Sequence, residues 1–137
     1  MRNKDKHKGI SKIIYKFKYS LNGLFYCYKS EFSLIIHGIL SILLIALGFI
    51  LHISLIEWII TIICLFLILA FEIINTSLEV IVDMITLDYN EKAKIAKDLG
   101  SAATFTISFM SFIIFMLILL PKIVNLFGNW LKKYKML

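Results

Sequence analysis

The apolar run between Leu55 and Ile85 carries Glu72, Asn75, Glu79 and Asp83 in its latter half. Their offsets from Glu72 are 3, 7 and 11 residues. At about 100° per residue these offsets bring all four to one face of a helix. Glu72 and Glu79 then stand roughly 10 Å apart along the axis. Paired carboxylates with a lysine nearby suit metal–nucleotide chemistry. Mg²⁺ takes one or two carboxylates together with phosphate oxygens, and lysine offers phosphate a point charge. A further carboxylate, half removed from water, can have a raised pKa and serve as general base. Glu72 is the deepest acid in the run and the natural candidate. The soluble nucleotide signatures are missing, because Gly9, Gly23, Gly38, Gly48, Gly100 and Gly128 all stand alone. His7, His37 and His52 are too far apart in sequence to read as a metal cluster.

The elements that must position these residues follow from composition. Of the 137 residues, 60% are hydrophobic and 18% charged, against roughly a quarter charged in soluble domains. One soluble domain of this size cannot hide so much apolar surface, whereas a bilayer can absorb it. Three apolar spans are expected, at about 32–52, 55–85 and 98–120. Each has the roughly 20 residues that cross a ~30 Å hydrocarbon layer. The third is expected to stop at Pro121, leaving 121–137 as a basic tail with Trp130 and Tyr134 as interface anchors. Residues 1–9 read as a loose basic segment, with no cleavable leader expected. Between them, Ile10, Ile13, Ile14, Phe17, Leu21, Leu24, Phe25 and Tyr28 repeat at helical spacing, with Lys12 and Lys16 opposite. That pattern predicts an amphipathic helix over 10–28, lying at the membrane surface with its lysines toward headgroups. Cys27 and Cys64 read as packing residues rather than a disulfide.

The net charge of +6 suits anionic headgroups. Nucleic acid is a poor partner, since the lysines flank apolar spans and form no single basic face. Eight Lys and Arg residues precede the first span, none lies in the first turn, three lie in the second loop and four in the tail. With three crossings the N-terminus and second loop share a side, eleven against four, and that side is expected to be cytoplasmic. The same topology gathers Glu31, Glu79, Asp83, Lys97 and Asp98 from three helices at one membrane face. Singly, each has a plain reading: Asp98 as a helix cap, Lys97 as a snorkelling anchor, Glu31 as a first-turn acid. Together they favour a site. A proton- or ion-handling subunit could also use membrane carboxylates as a relay, but such acids would spread through the bilayer, and the half beyond Glu72 holds only Glu57 at the outer turn. A non-catalytic adaptor has no use for the convergence.

The stretch EIINTSLEVIVDMITLDYNEKAKIAKDLGSAA, Glu72 to Ala103, resembles the signature of the bacterial diacylglycerol kinase family, which includes undecaprenol kinases. The pattern E-x-x-N-[ST]-x-x-E-x-x-x-D followed by A-K-D is specific, and SKIIYKFKYSLNGL resembles the family's surface helix. The resemblance covers about residues 10–120. It implies an all-α integral membrane protein: a surface helix plus three transmembrane helices, assembled as a homotrimer with sites between neighbouring chains. It implies transfer of the ATP γ-phosphate to the hydroxyl of a membrane lipid. By resemblance Glu72 is the catalytic base, and Glu31 and Glu79 hold Mg²⁺. Lys12, Tyr19, Glu31, Asn75, Glu79, Asp88, Tyr89, Asn90, Lys97 and Asp98 would bind nucleotide; Lys12, Glu72 and Ser101 would meet the lipid. Some positions depart from the family. Lys12 stands where some members have arginine, which forks where lysine does not. Ile35 replaces a frequent arginine, and Ser33 a frequent asparagine. His37 matches a histidine of many undecaprenol-type members and tilts the acceptor toward undecaprenol, with a packing role for His37 equally open.

Overall fold

A computed structural model describes residues 9–135, and side chains from 9 to 131. The N-terminal basic segment with Arg2, Lys4, Lys6 and Lys8, and the side chains of Lys132, Lys133, Tyr134 and Lys135, lie outside the described residues. The described residues form four helices: α1 Ile10–Ser30, α2 Phe32–Ile50, α3 Leu55–Ile85 and α4 Glu91–Lys135. Of these, α2, α3 and α4 are long and apolar enough to cross a membrane.

Helix ends explain where the boundaries fall. Glu31 alone separates α1 from α2; its extended backbone (φ −112°) breaks the helix, and its N–H bonds back to the Cys27 carbonyl. Between α2 and α3, His52 adopts φ 49° to make the tight turn. Ser54 then starts α3 with a capping box, its hydroxyl accepting from the Glu57 N–H while the Glu57 carboxylate accepts from the Ser54 N–H. Gly48 makes this turn possible, because a Cβ there would stand 2.8 Å from the Trp58 ring.

The fourth helix differs from expectation at both ends. It begins at Glu91 rather than 98, because Asn90 Oδ1 accepts from the N–H groups of Lys92 (2.9 Å) and Ala93 (3.2 Å). Asn90 is thus the cap, and Asp98 lies inside the helix. At the other end the helix continues through Pro121 to Lys135. Proline removes one N–H donor and crowds the preceding turn, yet apolar residues run on both sides of it, and an interrupted backbone is tolerated in such helices when neighbours re-satisfy it. Lys122, the next residue, is fixed by an ion pair to Glu57 (3.0 Å).

Contacts set the topology. Asp83 meets Lys97, Asn75 meets Gly100, Phe71 meets Thr104 and Glu57 meets Lys122. Positions rise on one helix as they fall on the other, so α3 and α4 form an antiparallel pair. Likewise Gly48 meets Trp58 while Ser33 and His37 meet Glu72, so α2 is also antiparallel to α3. The up–down–up order brings the start of α2, the end of α3 and the start of α4 to one end of the bundle. Cys27 and Cys64 are buried free thiols, as their packing role requires.

Candidate active site

Depth comes first. The 31 residues of α3 extend about 46 Å at 1.5 Å per residue, well beyond a hydrocarbon layer of about 30 Å. Counted from Leu55, the layer is used up near Asn75. On that count Glu72 falls just inside the boundary, and Glu79 and Asp83 beyond it.

A carboxyl group buried at such depth needs polar partners, and α2 supplies them. Glu72 is 5% exposed. Its Oε2 accepts from the Ser33 hydroxyl at 3.1 Å, and its Oε1 lies 3.1 Å from His37 Nε2. Ser33 and His37 are four residues apart, one turn, and so present both groups on one side of α2. Thr76, also buried, turns its hydroxyl back to the Glu72 carbonyl (3.0 Å). The sequence gives Ser33 no site role and leaves His37 between packing and a ligand role. The available signal was their isolation: with Ser41 they are the polar side chains of α2, and Ser41 bonds within its own helix, to the His37 carbonyl (2.7 Å).

Further along the polar stripe, Asn75 and Asp83 meet α4. Asn75 Nδ2 donates to Glu79 Oε1 at 2.9 Å. Asn75 Oδ1 is buried against Gly100 without a hydrogen-bond partner. Asp83 pairs with Lys97 Nζ at 2.5 Å. Glu31, half-buried at the α1–α2 junction, has its pKa raised, first by burial and then by the charges of Glu79 and Glu72.

The other expected site residues are distributed as follows. Lys12 and Tyr19 are exposed on α1, seven residues apart and therefore on one side of it, with the Tyr19 ring 6.2 Å from that of Tyr15. Asp88, Tyr89 and Asn90 form the exposed link between α3 and α4; the Asp88 N–H donates to the Thr86 hydroxyl (3.2 Å). Asp98 and Ser101 are exposed on the first turns of α4. Among the described residues, no group of three or more His, Cys, Asp or Glu side chains is arranged as a ready cation cage.

Below Glu72 lies a cavity of about 730 Å³ between α2, α3 and α4. His37 and Tyr28 line its upper part, with Ile45, Leu65, Phe112 and Met116 among the apolar residues around it. Ser108 also lines it, and its hydroxyl is buried without a partner. The site thus joins an apolar chamber to a buried carboxylate, with further acids, an amide and a lysine toward the boundary. Such a set can accept a proton from an apolar alcohol and hold phosphate groups beside it.

Comparison with known proteins agrees with this chemistry. Residues 18–119 match the family described as prokaryotic diacylglycerol kinase. An undecaprenol kinase of Bacillus subtilis is 29% identical over 123 residues, covering 90% of this chain and 100% of the relative. A diacylglycerol kinase of Haemophilus influenzae is 37% identical over 100 residues, covering 73% of this chain and 85% of the relative. A diacylglycerol kinase of Pseudomonas aeruginosa is 33% identical over 97 residues, covering 71% and 79%. Nothing in these matches supports the ion-relay alternative.

Proposed function

The chain belongs to the prokaryotic diacylglycerol kinase family, and from that premise we propose that Glu72 is the base that prepares a membrane lipid alcohol for phosphorylation. The protein is a lipid kinase, with ATP as its co-substrate. The observation that carries the assignment of the base is the setting of Glu72: a buried carboxylate with a polar group of α2 beside each oxygen, standing between an apolar chamber and the polar end of the bundle.

The reaction then follows from position. The lipid keeps its chains in the bilayer and the chamber, and its hydroxyl reaches Glu72. Glu72 takes the hydroxyl proton as the oxygen attacks the γ-phosphorus and ADP leaves. Little covalent work falls to the protein, so positioning and charge neutralisation dominate. Asn75 and Lys97 orient the phosphates, together with Asp98 and the Asp88–Asn90 link. Lys12 and Tyr19 approach the nucleotide from α1, and Lys12 and Ser101 approach the lipid.

Glu31 and Glu79 are the residues that would hold Mg²⁺. Their carboxylates are the hard oxygen donors that such an ion takes, one or two from the protein and the rest from phosphate. Bound there, the ion would neutralise phosphate charge.

Assembly and orientation complete the reading. The family resemblance supports a homotrimer with sites between neighbouring chains, and the lysine distribution supports a cytoplasmic N-terminus and site. Helix α1 lies along the headgroups: Ile13 and Phe17 are 68% and 70% exposed, which suits a lipid-facing side. The acceptor is undecaprenol or diacylglycerol. The whole-length match to the Bacillus protein makes undecaprenol the first alcohol to test.

The test is a product assay in micelles with Mg-ATP and the two alcohols in competition. Phosphorylated lipid is expected from wild type and none from Glu72→Gln, which should fold normally. Turnover by Glu72→Gln would remove Glu72 as base, and no turnover with either alcohol would remove the acceptor assignment.

A further inference from the structure

Helix α2 crosses an apolar environment yet carries three polar side chains; Ser41 bonds within its own helix, while Ser33 and His37, one turn apart, both turn to a single residue of another helix. A surface histidine needs no partner. This one is only 28% exposed, and its Nε2 is 3.1 Å from the carboxylate of Glu72. Its ring also lines the apolar chamber, so it stands at the junction of lipid and base. Space-filling alone would be served there by leucine, at no desolvation cost. What leucine cannot supply is an N–H.

The value of that N–H is geometric. A carboxylate turns freely about its last bond. Ser33 donates to Oε2 at 3.1 Å and His37 Nε2 stands 3.1 Å from Oε1, so α2 places one polar group beside each oxygen, which restricts the carboxylate plane. A misplacement of about 1 Å in a reacting group can lower a rate roughly 100-fold. We propose that His37 is a positioning residue for the phosphoryl transfer: its Nε2–H holds Glu72 Oε1 so that the carboxylate keeps the orientation in which it receives the lipid proton. The proposal uses the N–H of imidazole, not a charge on it. It rests on the reading of Glu72 as base.

Three variants test it in micelles at saturating lipid alcohol. His37→Leu keeps bulk and removes the donor. His37→Gln replaces it with an amide N–H of similar reach. His37→Asn carries the same amide on a stem too short to reach Glu72. The expected result is a fall in kcat of about 30-fold for Leu and Asn, within the range for misaligned groups, with KM for Mg-ATP within about threefold of wild type. His37→Gln should recover kcat to within about fivefold of wild type. A packing role predicts instead that Gln does no better than Asn, or that Leu keeps wild-type kcat; either overturns the proposal. Should Leu fail to fold, the Gln and Asn comparison decides alone.

Glu72→Gln separates this inference from the one beneath it. If that variant turns over, the base assignment has failed. If it is inactive while His37→Leu and His37→Asn are unimpaired, only the positioning role has failed.

Discussion

Asn75 occupies the space that a side chain at Gly100 would need: a Cβ there would stand 2.5 Å from Asn75 Oδ1. The amide is held at its other end by Glu79 (2.9 Å). The approach of α4 therefore fixes Asn75, and through it the Glu79 carboxylate.

Gly100→Ala should accordingly raise KM for Mg-ATP by about tenfold, because an ångström-scale shift at a positioning group carries effects of that order. Overpacking costs about 1–3 kcal/mol, and alanine returns up to about 1 kcal/mol of helix propensity, so the melting temperature should fall only modestly. A wild-type KM would show that Asn75 moves aside freely.

Glu31 gives a pH dependence. Its pKa is raised in the folded protein by burial, then by Glu79 and Glu72. For an acid shifted upward, the stabilising contribution is full below the unfolded pKa and is lost as pH rises through the folded one. Without divalent cation, stability should decline across that window. Glu31→Gln should melt higher than wild type at pH 8, and the difference should shrink in acid. Melting curves against pH, with and without Mg²⁺, check this; added Mg²⁺ should stabilise wild type more than the variant.

Lys97 and Asp83 form an ion pair whose side chains remain 37% and 53% exposed. Exposed pairs contribute about 0–1 kcal/mol, so Asp83→Asn should barely move the melting temperature. Lys97→Met should raise KM for ATP by about tenfold or more if the lysine meets phosphate, about 1.4 kcal/mol of binding. Equal and small effects of both variants on KM would reduce the pair to a surface tie.

The far end of the bundle should respond in stability alone. A Cβ at Gly48 would stand 2.8 Å and 3.0 Å from Trp58 ring atoms, and Trp58 already packs on Phe49 at 4.8 Å between centroids. Gly48→Ala should cost about 1–3 kcal/mol through overpacking, visible as a lower melting temperature, with kcat unchanged in the folded fraction.

Much of this protein was legible in one dimension. Apolar length between Phe32 and Leu120 set three helices long enough to cross a membrane, because a bilayer imposes a minimum span on any helix within it. The period of 3.6 put Glu72, Asn75, Glu79 and Asp83 on one face, and alternating direction gathered Glu31 and Lys97 at the same end. Only the tertiary structure decided which groups on neighbouring helices these residues meet. That Glu72 is held by Ser33 and His37, Asn75 by the gap at Gly100, and Lys97 by Asp83 depends on helix rotation and register. The same holds for α4 running on through Pro121. Local spacing fixes which side chains share a face. Packing between faces fixes their partners, and no single helix carries that information.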